Sequence, residues 1–130
     1  LIYPVLDATP ERPSHHEFAE GMLLTRSNIL WFYDHYMNVL DDAQNPHLSP
    51  ILTEDLSGLA PALIIVAGHD PLRDEGIEYA GRLKEAGVAV EFCNYEGMIH
   101  GFLSFADAID QGMTGIEHVA RALRGAFAAN

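Results

Sequence analysis

The chain has 130 residues, 48% of them hydrophobic, and a formal charge of −12 from 19 acidic and 7 basic side chains. This length allows one compact domain with a core, and the charge excludes nucleic acid or an anionic membrane surface as partner. The single cysteine cannot form an internal disulfide, and no apolar run approaches the ~20 residues that span a bilayer. We therefore predict a cytoplasmic protein without a membrane span. The sequence starts without a methionine, so we expect a piece of a longer chain.

The first half of the chain predicts one short strand and one helix. Residues 1–6 are apolar and β-prone, which predicts a strand, and residues 7–18 are rich in turn formers, which predicts an exposed connection. Thr25 is a capping candidate for a helix with an aromatic stripe, ending near Asp42, whose apolar face must be buried. Residues 45–58 are turn-rich and lead back to the sheet.

The central stretch predicts a strand–helix–strand unit. Residues 62–67 form an apolar, β-branched run typical of a strand that is buried on both faces. Residues 74–86 carry an apolar helical stripe that ends at Gly87, and residues 88–95 partly alternate as a strand does. Parallel pairing with a right-handed crossover follows from this order.

The last thirty residues predict a short helical turn and a final helix. The turn is expected over residues 102–109, and an apolar stripe begins at Ile116. Gly112 and Gly115 are expected to separate the two elements. No internal repeat or linker divides the chain, which indicates one domain over residues 1–130.

Two chemically active side chains follow the two predicted strands. Asp70 comes just after the first strand and His100 just after the second, with glycines nearby. The carboxyl ends of parallel strands meet at one edge of the sheet, so we expect the carboxylate to contact one imidazole nitrogen and orient the ring. This pair, in this chain order, is the second half of a Ser…Asp…His arrangement. A capping role for Asp70 is the competing interpretation.

Other candidates are less favoured. We interpret His69 as structural, and Cys93 as a small core residue because it lies inside a strand. The pattern around His16 lacks the second histidine that a zinc-binding helix needs, so no metal is predicted. Solvated loop positions are the preferred interpretation for a group of five residues: His15, His16, Glu17, His35 and His47. None of the serines lies in Gly-x-Ser-x-Gly, so the chain shows no recognisable nucleophile.

Three stretches together resemble the hormone-sensitive-lipase-like branch of the α/β-hydrolases, known in bacteria as family IV. They are Leu1-Ile2-Tyr3-Pro4-Val5-Leu6-Asp7, Asp70-Pro71-Leu72-Arg73-Asp74-Glu75-Gly76 and His100-Gly101-Phe102. The resemblance covers essentially the whole chain and corresponds to the C-terminal part of one catalytic domain. It implies an α/β fold with three mostly parallel strands, flanking helices and an incomplete sheet. Family strands six, seven and eight would be residues 1–6, 62–67 and 88–95.

The resemblance also implies an activity and its residues. The family hydrolyses carboxylic esters through an acyl-enzyme, without a cofactor, and Asp70 and His100 would be the triad acid and base. The serine and the His-Gly-Gly oxyanion motif would lie upstream of Leu1, so the chain alone is predicted to be inactive. Apolar walls for a small ester substrate would come from Phe102, Leu103, Trp31 and Phe32, although core packing explains these four equally well.

The same resemblance predicts partners. The apolar edge of residues 1–6 would be unpaired, and such an edge recruits another strand. The expected partner is the missing N-terminal half of the domain or a second copy, which makes a homo-oligomer. Two alternatives remain from other classes of protein. One is a phosphotransfer receiver with Asp70 as phospho-acceptor, for which no upstream acidic pair for magnesium is visible. The other is a non-catalytic assembly module.

Overall fold

The computed structural model describes residues 1–9 and 11–128, in two compact units that divide after His100. In the first unit, strands β1 (Ala62–His69) and β2 (Val90–Ile99) pair in parallel, from Ala62 opposite Val90 onward. Residues 64–68 of β1 are buried, as an apolar strand covered on both faces should be. The two predicted strands are confirmed, and both run further toward their carboxyl ends than expected.

Helix α3 (Arg73–Glu85) connects these strands and packs on β1. Its apolar side joins one buried cluster with β1: Ile64, Val66, Tyr79, Ala80 and Leu83 belong to it. Gly76 permits the close approach, because a Cβ there would lie 2.5 Å from Val66 Cγ1. Gly87 follows the helix with a φ of 79°, which confirms the predicted left-handed stop.

The predicted first strand is only partly present, and over residues 1–9 and 11–128 the sheet has two strands rather than three. Ile2 forms a single parallel bridge with Ile65. The Tyr3 N–H donates to the Ile65 carbonyl at 2.8 Å, and the Ile65 N–H donates to the Leu1 carbonyl at 2.9 Å. The ladder ends there because Tyr3 has a φ of 35° and Pro4 has no N–H to donate.

The expectation of an exposed, irregular connection over residues 7–18 was wrong. Helix α1 (Pro13–Glu17) lies in it, with Ser14 and His15 buried. Proline at the first helical position favours this start. Ser14 then bonds to the start of α3, and this tertiary contact stabilises a helix of one turn.

Helix α2 (Arg26–Tyr36) begins at the predicted cap, where Thr25 Oγ1 accepts the Asn28 N–H at 3.2 Å. It ends before the expected Asp42, whose carboxylate instead accepts the N–H of Asn38 at 2.8 Å and starts a separate turn, Leu40–Gln44. Its aromatic stripe is not buried within this chain. Ile29 alone is buried among the described residues of α2, and the aromatic residues Trp31, Phe32 and Tyr36 are exposed.

The second unit contains a short turn, Phe102–Phe105, and helix α4 (Asp110–Ala128). Gly112 and Gly115 lie inside α4 and do not precede it, which corrects the prediction. Their lack of a side chain lets the helix approach the turn closely. A Cβ on Gly115 would lie 2.4 Å from Leu103 Cδ2, and one on Gly112 would lie 2.9 Å from the Phe102 carbonyl oxygen. No helix in the described residues has both the length and the apolar character to cross a membrane.

Candidate active site

Asp70 lies in the loop between β1 and α3 and is 1% exposed. Its Oδ1 accepts the Leu72 N–H at 2.9 Å, and its Oδ2 lies 2.8 Å from Nδ1 of His100. A carboxylate accepts hydrogen bonds, so the network assigns the proton to Nδ1 of the imidazole. The structure therefore brings together the two side chains that the sequence places at the strand ends.

His100 directly follows β2, and its side chain is 25% exposed. The Tyr3 ring packs against the imidazole, with centroids 4.9 Å apart and planes tilted by 54°. With Nδ1 on Asp70, Nε2 is the nitrogen left for chemistry with another molecule. This is the arrangement that a general base needs: one nitrogen oriented by an acid, the other with lone-pair electrons.

A register shift in the sheet sets the relative position of the two side chains. Ala67 is opposite Tyr95, but His69 is opposite Ile99, so Gly68 faces three residues of β2. A Cβ on Gly68 would lie only 2.1 Å from the Glu96 carbonyl oxygen. Glycine at this position therefore allows β2 to bulge and still place His100 beside Asp70. The sequence shows the glycine but not the strand that approaches it.

The neighbouring His69 is exposed and does not belong to this pair. Its ring lies edge-on to Phe18, with centroids 5.4 Å apart. This packing agrees with the structural interpretation of His69. It also places the residues just after α1 beside the end of β1.

Apolar side chains surround His100 in a cavity of about 120 Å³. Its lining is Val5, Leu24, Ile29, Phe32, Tyr33, Leu72 and His100. An adjoining groove of about 440 Å³ is also lined by Phe32. Trp31 lines neither space and stacks on His35 with centroids 4.0 Å apart. Phe102 is buried and Leu103 partly buried in the second unit.

A second buried carboxylate, Glu75, was not anticipated as special. Its Oε2 accepts the Leu6 N–H at 2.8 Å, while its buried Oε1 has no hydrogen-bond partner in the part of the chain that the structure describes. Burial raises the pKa of Glu75 to about 8, against the lowering effect of the Leu6 hydrogen bond. From the sequence, Glu75 is only an acidic residue near the start of a predicted helix, where the helix dipole alone accounts for it.

The described residues contain no group of three or more metal-binding side chains. Within the histidine-rich set, His16, Glu17, His35 and His47 are exposed as predicted, but the first three lie in helices and not in loops. His15 is buried, which corrects its assignment to a solvated loop, and desolvation lowers the pKa of its imidazole. Cys93, predicted to be a core residue, is only partly buried.

Known ester hydrolases resemble this chain in sequence and structure. It is 46% identical over 125 residues to the carboxylic ester hydrolase LipN of Mycobacterium tuberculosis, covering 95% of this chain and 33% of that protein. It is 40% identical over 124 residues to an ethyl acetate hydrolase of Pseudomonas putida, covering 95% and 39%. An ester hydrolase from the metagenome of Lake Arreo, solved with a bipyridine phosphonate derivative, superposes with a TM-score of 0.93. The identity is 41%, covering 98% of this chain and 41% of that one.

The profile of the α/β-hydrolase fold matches residues 1–104. The chain therefore belongs to the α/β-hydrolases, in the hormone-sensitive-lipase-like branch that its motifs indicate. It spans roughly a third to two fifths of the length of the relatives named above.

Proposed function

We propose that this chain supplies the acid and the base of a carboxylic ester hydrolase whose serine nucleophile and oxyanion hole lie in another part of the same protein. The contact between Asp70 Oδ2 and His100 Nδ1 is the single observation that carries the proposal. The match to ester hydrolases over 95% of the chain supports the same reaction class. Asp70 and His100 are the proposed catalytic residues, and no cofactor or metal takes part.

The proposed reaction gives one role to each member of this pair. His100 Nε2 accepts the proton of the serine hydroxyl as the serine attacks the ester carbonyl, and the resulting imidazolium protonates the leaving alcohol. His100 then takes a proton from water as the water attacks the acyl-enzyme, and it returns this proton to the serine oxygen when the acyl–serine bond breaks and the acid is released. Asp70 holds the tautomer and stabilises the imidazolium throughout.

The apolar cavity beside His100 supports an ester with a small apolar group. Phe32 is the sequence-predicted wall residue that lines this cavity. A volume of about 120 Å³ is smaller than usual ligand pockets, so we propose that the rest of the protein completes it. Trp31, Phe102 and Leu103 remain proposed substrate contacts for the completed site.

The free backbone groups at Ile2 favour a partner for the first unit. The neighbours of Ile2 bond to Ile65, so in a parallel ladder the N–H and C=O of Ile2 point away from β1. Several large apolar side chains are exposed nearby: Leu1, Ile2, Val5, Trp31, Phe32 and Tyr36. We propose that the N-terminal half of the domain, or else a second copy, covers this surface.

A phosphotransfer receiver has less support. Both oxygens of Asp70 are already engaged, by Leu72 and His100, and no acidic cluster for magnesium lies among the described residues. A phospho-acceptor needs an accessible oxygen and a metal beside it. Asp70 is buried instead.

Steady-state kinetics in the complete protein test the proposal. With p-nitrophenyl acetate, His100→Ala should abolish turnover, and Asp70→Asn should lower kcat by about 10⁴-fold with little change in KM. His69→Ala is the matched control, since this neighbouring histidine lies outside the pair and should leave kcat within about twofold. If Asp70→Asn keeps more than about a tenth of the wild-type kcat, Asp70 is not the acid.

A further inference from the structure

Helix α1 is hydrogen-bonded to the loop that contains Asp70. Ser14 is fully buried, and its Oγ donates to the Pro71 carbonyl at 2.5 Å. Its backbone N–H donates to Asp74 Oδ2 at 2.9 Å. The Pro71 carbonyl and the Leu72 N–H belong to one peptide unit, so the Ser14 hydroxyl is bonded to the same peptide that donates to Asp70 Oδ1.

The residues around α1 also hold the other side of this loop. Arg73 Nη1 donates to the Gly68 carbonyl, two residues before Asp70, at 3.2 Å. The same guanidinium bonds to Glu17 at 2.9 Å and lies over the Phe18 ring, 4.9 Å from its centroid. The carbonyls on both sides of Asp70 are therefore tied to α1, directly by Ser14 and indirectly by Arg73.

The Asp70 carboxylate makes one hydrogen bond with each oxygen, so its position depends on where the loop holds it. One oxygen is fixed by the Leu72 N–H within the same loop, and the other faces His100. Rotation of the Pro71–Leu72 peptide moves the N–H that holds Asp70 Oδ1, and so shifts the carboxylate relative to the imidazole. A displacement of about 1 Å at such a site can cost about 10²-fold in rate.

We propose that Ser14 is a positioning residue: its hydroxyl, through the Pro71 carbonyl, holds the Asp70 carboxylate in line with His100. This inference rests on the proposed function and extends it to a residue that touches neither the substrate nor the triad. It also gives α1 a role in the site.

Ser49 provides a matched control within the same chain. It is also fully buried, its Oγ donates to the Ala43 carbonyl at 2.7 Å, and it accepts the Ala8 N–H at 2.9 Å. These bonds join segments that do not include the Asp70 loop. Ser14→Ala and Ser49→Ala therefore remove the same group from equally buried positions, and only the first removes a contact to that loop.

Kinetics and NMR of the complete protein separate positioning from stability. Both variants should melt at a lower temperature. Ser14→Ala should lower kcat for p-nitrophenyl acetate by about tenfold with KM within about twofold, while Ser49→Ala should keep both within about twofold. In ¹⁵N-histidine-labelled protein, the downfield His100 Nδ1 proton should move upfield or vanish in Ser14→Ala alone. Ser14→Cys retains a weak donor, so its kcat and its His100 Nδ1 proton shift should lie between those of the wild type and Ser14→Ala. This variant tests the inference if Ser14→Ala does not fold.

Equal kinetics and spectra in Ser14→Ala and Ser49→Ala would overturn the inference and leave Ser14 a structural residue. The failure of the proposed function has a different signature, namely esterase activity that survives His100→Ala. The His100 Nδ1 resonance does not require turnover, so it tests the positioning role even in that case.

Discussion

Replacing Glu75 by glutamine should change how the stability of the protein depends on pH. Glu75 is fully buried, and burial raises its pKa to about 8 from an ordinary value of 4.5. The folded protein therefore keeps the Glu75 proton at pH values where the unfolded chain releases it. Stability from this group is complete below about pH 4.5 and is lost as the pH rises through about 8.

The size of the effect follows from the pKa difference. Each pH unit between the unfolded and folded pKa values lowers the free energy of unfolding by about 1.4 kcal/mol. Between pH 5.5 and 8.5 the wild type should therefore lose about 3 kcal/mol through Glu75 alone. Glu75→Gln keeps an oxygen for the Leu6 N–H but cannot ionise, so it should lack this loss. His15 also has a shifted pKa, but it is common to both proteins and cancels in the difference.

Urea unfolding at pH 5.5, 7.0 and 8.5, followed by circular dichroism, measures this difference. Glu85→Gln is the control, because Glu85 ends the same helix in an exposed position. The unfolding free energies of Glu85→Gln and wild type should run parallel, and those of Glu75→Gln should diverge upward with pH. Parallel curves for Glu75→Gln and wild type would refute the assignment of a buried, neutral carboxyl at position 75.

Three further predictions concern the bulge, the isolated chain and its edge. Gly68→Ala should destabilise the protein by about 3 kcal/mol and lower kcat, because its Cβ would meet the Glu96 backbone, while Gly97→Ala, with open space around its Cβ, should do neither. Unchanged thermal melting and kinetics in Gly68→Ala would contradict this. The 130-residue chain alone should hydrolyse p-nitrophenyl acetate no faster than free imidazole, and turnover that a serine-directed phosphonate abolishes would point to an overlooked nucleophile. Sedimentation of that chain should show self-association, whereas a concentration-independent monomer with slow amide exchange around Ile2 would mean that the edge is self-protected.

The elements predicted best are those whose sequence signals are local and mutually consistent. The apolar run of β1, the amphipathic stripe of α3 and the stop at Gly87 each indicate one structure without reference to distant residues. Helix α1 was missed because it is five residues long and depends on Ser14 bonding to Pro71 and Asp74. In α4, glycines that usually mark a break serve close packing instead.

The sequence predicts which two residues form the candidate site, but not the contacts that position them. The carboxyl ends of two parallel strands meet at one edge of the sheet, and this rule predicts that Asp70 and His100 lie close together. The bulge at Gly68 and the support from Ser14 depend on which backbone lies opposite, and periodicity carries no information about that. Single residues such as Trp31 and Phe32 could not be separated by pattern, since both lie on the same exposed helix and only Phe32 lines the cavity.

Asp70 and Glu75 are two buried carboxylates five positions apart, and they differ in their hydrogen-bond partners. Asp70 has a hydrogen-bond donor on each oxygen, one from the backbone and one from an imidazole that can exchange protons with another molecule. Glu75 Oε2 accepts the Leu6 N–H, its buried Oε1 has no hydrogen-bond partner among the described residues, and burial favours the neutral form. It therefore ties Leu6 to α3. The different hydrogen-bond partners of the two carboxylates, more than their residue types, are therefore the basis of the different roles proposed for them.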